Sequence, residues 1–187
     1  LAIRQNHFEM ARWLLDHGAV INDPKAEKPE AAPLMALAAR ANNIGLLQLL
    51  IARGADVNVC DDDGTTPLMT AVLNDNRPMI GALLDAGANA KTTNDRQRNV
   101  LHFCRPDLPA DIVDRLLAAG ADIDARENVQ RRTPLMMALG EGNGALADLL
   151  MARGASLQGI DSGGFSTLHL ALNSRLTAQA RKLLHEG

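Results

Sequence analysis

The dipeptide Gly-Ala returns along this chain at a nearly fixed interval, and that recurrence constrains the fold more than composition does. It stands at Gly18, Gly54, Gly87, Gly120 and Gly154, and Gly187 is the last residue, giving spacings of 36, 33, 33, 34 and 33 residues. A large apolar residue lies three positions before each glycine: Leu15, Ile51, Leu84, Leu117, Met151 and Leu184. The position before that is always leucine, at Leu14, Leu50, Leu83, Leu116, Leu150 and Leu183. A period of this length marks one supersecondary unit used repeatedly. The copies run approximately over residues 1–22, 23–58, 59–91, 92–124, 125–158 and 159–187, within one array spanning 1–187.

The unit follows from local chemistry. Thr66-Pro67-Leu68 and Thr133-Pro134-Leu135 read as helix starts, with threonine capping free amides and proline in the first turn. Ala71 and Ala138 are small enough for neighbouring helices to approach. A polar turn follows, Asn74-Asp75-Asn76 in one copy and Glu141-Gly142-Asn143-Gly144 in another. A second apolar-periodic segment then runs to the paired leucine, and glycine ends it in the left-handed conformation. An extended Asp56-Val57-Asn58 and a polar tip at Asp61, Asp62, Asp63 and Gly64 lead to the next helix start. Such a unit cannot bury its apolar face alone, and stacking on its neighbours solves that.

Composition agrees. Hydrophobic residues make up 47% and charged residues 22%, so the chain can build a core. Only 2% is aromatic, Phe8, Trp13, Phe103 and Phe165, which disfavours an all-β core. Trp13, in the apolar run before Gly18, is expected in the core. The net charge of −3 and the lack of stacking aromatics argue against nucleic acid. No apolar run is long enough to insert into a membrane. Cys60 and Cys104 have no pairing or ligand spacing and favour a reducing, cytoplasmic location, as does the lack of a signal peptide.

The tip Asp61-Asp62-Asp63-Gly64-Thr65-Thr66-Pro67-Leu68-Met69, the run Gly54-Ala55-Asp56-Val57-Asn58 and the later Gly164-Phe165-Ser166-Thr167-Leu168-His169-Leu170-Ala171 resemble the ankyrin-repeat family. The resemblance covers the whole chain and implies an all-α solenoid of stacked helix-turn-helix pairs with hairpin-like loops, about six repeats in all. Leu1 falls inside the first helix of its repeat, so the leading copy is expected to be truncated and the array to continue upstream. The other end is expected to be nearly finished, because Gln179 stands where other copies have Met10, Leu46, Met79, Ile112 and Leu146. Three places depart from the family pattern. The connection from Ala19 to Pro33 is long and charged. The fourth copy has Asn99-Val100-Leu101-His102 for the usual helix start and Gln97 for the tip glycine. Pro106 and Pro109 flank its inter-helix turn, and Pro106 is expected to cut its first helix short.

No catalytic constellation is present. By the resemblance, His102 and His169 hold hairpin loops by hydrogen bonds; His7 falls in a turn, and His17 and His185 in last helical turns, where a cation suits the dipole. His102 and Cys104 alone do not make a zinc site. Gly140-Glu141-Gly142-Asn143-Gly144 links two helices instead of leading from strand to helix, so it is not a phosphate loop. Asp61, Asp62 and Asp63 lack the alternation and distal glutamate of a calcium loop. We therefore expect no cofactor, no metal and no enzyme activity from these residues.

What the resemblance implies is a module that binds another protein through its concave face and loop tips, monomeric on its own. The contact residues would be Asp61, Asp62, Asp63, Thr65, Arg96, Arg98, Arg131 and Arg132, with Asn74, Asp107 and Glu141 further in and Phe165 as an apolar anchor. Residues 61–90 carry five aspartates against Arg77, whereas the following tips carry paired arginines. Reversing Arg96, Arg98, Arg131 and Arg132 is expected to weaken association and leave stability almost unchanged. Alternatives are a targeting module of a larger enzyme or bacterial effector, an inhibitor or immunity-type protein that blocks a partner enzyme, and a passive spacer.

Overall fold

A computed structural model describes residues 9, 10, 12, 13, 16, 17 and 31–186. The chain divides into two compact units, Leu1–Ala88 and Asn89–Gly187. Each is built from helix pairs stacked on one another. The only bridge outside named strands among the described residues is the isolated antiparallel pair Ile160 and Ser166.

In the first unit, α1 (Ala31–Arg40) pairs with α2 (Ile44–Ala52), and α3 (Pro67–Leu73) with α4 (Arg77–Asp85). The helix starts are set by single side chains. Asn43, Thr66 and Asn76 accept the amides of Leu46, Met69 and Met79 at 3.0, 3.3 and 3.0 Å. The turns of successive copies are joined: Asn74 donates to the Ala39 carbonyl at 3.3 Å and Asn76 to the Asn42 side chain at 2.7 Å. Leu46, Leu47, Leu50, Leu68, Met69, Met79, Ile80 and Leu83 form the core. Gly54 closes α2 at φ +77°, which lets the Ala55 amide reach back to Leu50 at 2.9 Å.

In the second unit the fourth copy opens with one 3-10 turn, Val100–Phe103, followed by α5 (Ala110–Ala118). Pro106 has no amide for a continuing helix, and the backbone is already extended at Cys104, so the shortened first helix is as anticipated. The pairs α6 (Pro134–Gly140) with α7 (Gly144–Ala152) and α8 (Thr167–Asn173) with α9 (Thr177–Glu186) complete the unit. Leu101, Val113, Leu116, Leu135, Met136, Leu139 and Leu150 fill its core.

Three expectations are corrected. Trp13 is exposed and stacks on His17 with ring centroids 3.9 Å apart, an i to i+4 pairing on one helical face rather than a core position. Residues 57 and 58 form a turn, because the Asn58 amide is drawn back onto the Asp56 carboxylate at 2.8 Å. Gln179 is buried, and its amide donates to Asp148 at 2.7 Å and to the Gly144 carbonyl at 3.4 Å. Its column therefore faces the preceding copy. The opposite face of the sixth copy exposes Leu172 and Leu184, at columns where Leu139 and Met151 are buried. The connection from Ala19 to Pro33, His7 and the truncated first helix fall largely outside the described residues.

Candidate partner-binding surface

Each loop tip is organised by its first residue, whose side chain gathers the amides that follow. Asp61 Oδ1 accepts from Asp63 and Thr65 at 3.1 and 2.9 Å. Asn94 Oδ1 accepts from Arg96 and Arg98, both at 3.0 Å, and Asp161 Oδ1 from Gly163 and Phe165, both at 2.9 Å. The tip of the fifth copy is one residue longer between its first residue and its capping threonine, and there the residue is Glu127. The extra methylene spans the insertion: Oε2 accepts from Val129 at 2.9 Å, and Oε1 from Gln130 and Arg132 at 2.5 and 3.3 Å. The turn requires a left-handed residue near its end. Gly64 and Gly164 supply it cheaply, whereas Gln97 and Arg131 adopt it at φ +54° and +56° at some cost.

Within the second unit the tips are bound side by side. The Asn128 amide donates to the Arg96 carbonyl at 2.9 Å, and its side chain to Asp95 O at 2.9 Å. The Ser162 amide donates to Gln130 O at 2.8 Å, and Arg126 to Ile160 O at 3.0 Å. Arg132 grips Asp161 Oδ2 through Nε at 2.9 Å and Nη2 at 2.8 Å. Arg98 Nη2 lies 4.0 Å from Glu127 Oε2, and its Nε is buried without a hydrogen-bond partner.

These carboxylates are buried and still charged. Burial pushes the Glu127 carboxyl up, but the amides of Val129, Gln130 and Arg132 with nearby Arg98 more than offset it, so it titrates below its usual range. Asp161 is likewise pushed up by burial and carried below its usual range by the Phe165 amide, Arg132 and the Gly163 amide. His102 holds the loops as the resemblance implied: its Nδ1 accepts the Asn99 amide at 3.2 Å and its Nε2 meets the Arg132 carbonyl at 3.3 Å. Burial lowers its pKa and keeps the ring neutral. His169 likewise lies 2.7 Å from the Ser166 hydroxyl.

The named contact residues thus separate into groups. Arg96, Arg98, Arg131, Arg132 and Phe165 come together on adjacent tips of the second unit. Arg96 and Arg131 are exposed, and neither side chain has a hydrogen-bond or ion-pair partner among the described residues. Arg98 and Arg132 are part-buried in ion pairs, so the expectation that all four can be reversed without loss of stability does not fit these two. Phe165 is 43% exposed and turns its edge toward the His169 ring, 6.3 Å away. Asp61, Asp62, Asp63, Thr65 and Asn74 belong to the first unit: Asp62 and Asp63 are exposed, Asp61 and Thr65 half-buried. Asp107 and Glu141 are exposed at inter-helix turns.

Sequence reasoning missed Glu127, Asp161 and Asn94 as the organisers, and missed Val129, which is 62% exposed at its tip. The signal was available. The first tip position reads Asp61, Asn94, Glu127 and Asp161, always an oxygen-bearing side chain, short in the shorter loops and one methylene longer where the loop is longer.

Among the described residues no group of three or more His, Cys, Asp or Glu could hold a metal ion. Burial pushes the Cys104 thiol up to about 12, which keeps it protonated and unreactive at neutral pH. No helix among the described residues is long and apolar enough to cross a membrane.

Comparison with known proteins agrees with this architecture. The family model described as ankyrin repeats (3 copies) matches residues 34–127 and 101–187, and the single ankyrin-repeat model matches residues 1–26. An ankyrin repeat protein of fowlpox virus is 33% identical over 160 residues, 81% of this chain and 46% of its own length. The palmitoyltransferase ZDHHC13 of Homo sapiens is 34% identical over 151 residues, 80% of this chain and 24% of its own. The glycerophosphocholine phosphodiesterase gde1 of Schizosaccharomyces pombe is 26% identical over 140 residues, 74% of this chain and 12% of its own. The chain therefore spans less than half the length of each of these relatives.

Proposed function

Because the chain belongs to the ankyrin-repeat family, whose repeats are protein–protein interaction modules, we propose that it binds a partner protein through the loop tips and adjoining first helices of its second unit. One observation carries this reading. Backbone bonds, two ion pairs and His102 fix the tips from within, while Arg96, Arg131, Val129 and Phe165 are left facing outward. A tip backbone that is already ordered need not be ordered on binding, so less of the contact free energy is lost there. Catalysis is not part of this role.

A second reading, a targeting module within a larger enzyme, draws support from the two relatives named as enzymes, of which the matching region is 24% and 12%. Both readings place binding in this chain and differ only in what it is joined to. Site-specific photocrosslinking from position 129 or 165, in the natural host's extract, tests the shared claim. A discrete crosslinked protein that is lost when the crosslinker moves to position 114, in the helix Ala110–Ala118, supports it. Equal labelling from the tip positions and from position 114 contradicts it.

A further inference from the structure

We infer that the tips of the second unit receive an acidic segment of the partner, whose carboxylates meet Arg96 and Arg131 and whose apolar side chain meets Val129 and Phe165. The inference rests on the proposed binding role and adds the chemistry of what is bound.

The charge pattern singles out this surface. Over residues 94–98, 127–132 and 161–165 the cations are Arg96, Arg98, Arg131 and Arg132, and the acids are Asp95, Glu127 and Asp161. Glu127 and Asp161 are buried and occupied by backbone amides and by Arg98 and Arg132. Asp95 is thus the one exposed carboxylate on these tips, set against two exposed guanidinium groups. Just outside, Arg126 donates to the Ile160 carbonyl, while Asp122 and Asp124 accept the Asp124 and Ser156 amides. A planar guanidinium held at a rigid turn matches a carboxylate through two parallel hydrogen bonds.

The two arginines sit on neighbouring tips, as the bond from Asn128 to the Arg96 carbonyl shows, and Val129 is exposed on the same tip as Arg131. Phe165 continues the row on the next tip, itself tied to the fifth copy through Ser162 and Gln130. An occupant fitting these tips combines carboxylate and apolar groups. Nucleic acid fits them poorly. The tips offer one aromatic for stacking, and the chain as a whole carries a net charge of −3.

The test is selection of a phage-displayed library of random dodecapeptides on the immobilised chain, in parallel with the double variant Arg96→Glu with Arg131→Glu. Both changes are at exposed positions, and matching thermal midpoints of the two proteins verify the fold. Should the reversal disturb folding, the variant Arg96→Gln with Arg131→Gln takes its place. We expect enriched peptides rich in Asp and Glu around a Leu, Ile or Phe. Their affinity should fall at least about tenfold on the double variant and with added salt. Enriched peptides that are neutral or basic, or that bind the variant equally well, overturn the acidic-segment inference while leaving protein binding in place. A mixed-sequence oligonucleotide that binds more tightly than the selected peptides overturns it too. Failure to enrich any peptide, together with no crosslinked protein from positions 129 and 165, would bring down the binding role itself.

Discussion

The contact between Arg132 and Asp161 allows the sharpest energetic test, because a pair at nearly equal distances lies in the same unit, with both Arg132 nitrogens on Asp161 Oδ2 and the two Arg153 nitrogens on separate oxygens of Asp114. Arg132 reaches Asp161 at 2.8 and 2.9 Å, and Arg153 reaches Asp114 at 2.7 and 2.9 Å. Exposure separates them: the side chains are 22% and 2% accessible in the first pair, against 31% and 49% in the second. Two unit charges about 4 Å apart attract by about 4 kcal/mol at an effective dielectric near 20, and desolvation takes back a large part. The Asp161 carboxylate is also held by two amides, so its burial is already compensated without the arginine. We therefore expect a coupling of about 1–3 kcal/mol for Arg132 with Asp161. The cycle uses Asp161→Asn, which keeps an acceptor for the tip amides, and Arg132→Met, which keeps the aliphatic stem. Urea denaturation of the two single variants and the double variant measures it. The same cycle on Arg153 and Asp114 should give a much smaller value, since water screens both groups. Equal couplings for the two pairs would refute the view that burial at the tips is what makes the first one count.

Further expectations concern the same tips. Glu127→Asp removes the methylene that spans the longer loop and should lower stability by about 1–3 kcal/mol in urea denaturation, an unusual cost for so conservative a change. Glu127 and Asp161 titrate below their ordinary range, so their stabilisation is complete above the unfolded carboxyl range of about pH 4 and is lost as pH falls through their folded values. His102 is neutral in the fold with a lowered pKa, so the unfolded chain takes the proton first and stability should begin to fall as pH drops below about 6.5. Denaturation midpoints from neutral to acid pH check both, and His102→Gln should erase the upper limb only. Gln97→Gly and Arg131→Gly relieve left-handed backbone at non-glycine residues and should each raise stability by up to about 1 kcal/mol, whereas Gly64→Ala should lower it. Thermal denaturation decides.

How far the chain could be read depends on whether a feature recurs. The helix pairs, the capping threonines, the buried paired leucines and the shortened helix before Pro106 were legible, because periodicity or a backbone rule fixes each one. The tips were legible as loops but not as structures. The sequence makes Asp61 one more acid at a polar tip, whereas its carboxylate is taken up by two amides of its own turn. From the sequence, reversing Arg98 and Arg132 is expected to cost little stability, yet both are held in ion pairs. Their partners Glu127 and Asp161 lie 29 residues away in sequence and become neighbours only through the stacking of copies. Gln179 shows the opposite error. Its column aligns with Leu146, and from the sequence alone a polar residue there suggests an outward face. Asp148 and the Gly144 carbonyl supply the partners that let a glutamine stand in that buried column. The choice between a polar residue facing water and one satisfied inside an interface depends on cross-repeat geometry that a single sequence does not carry.

The central claim is that the four tip arginines divide into two that hold the second unit together and two that face a partner. Thermal denaturation of the single reversals Arg96→Glu, Arg98→Glu, Arg131→Glu and Arg132→Glu tests it directly. Arg98→Glu and Arg132→Glu each set a new carboxylate against a buried one and should lower the midpoint by roughly 5–10 °C, as a loss of about 2–3 kcal/mol implies for a chain of this size. Arg96→Glu and Arg131→Glu should leave the midpoint within about 1 °C of the unaltered protein, since substitutions at exposed, unpaired positions shift stability little. Four equal midpoints, or a larger loss at Arg96 or Arg131 than at Arg132, would contradict the division.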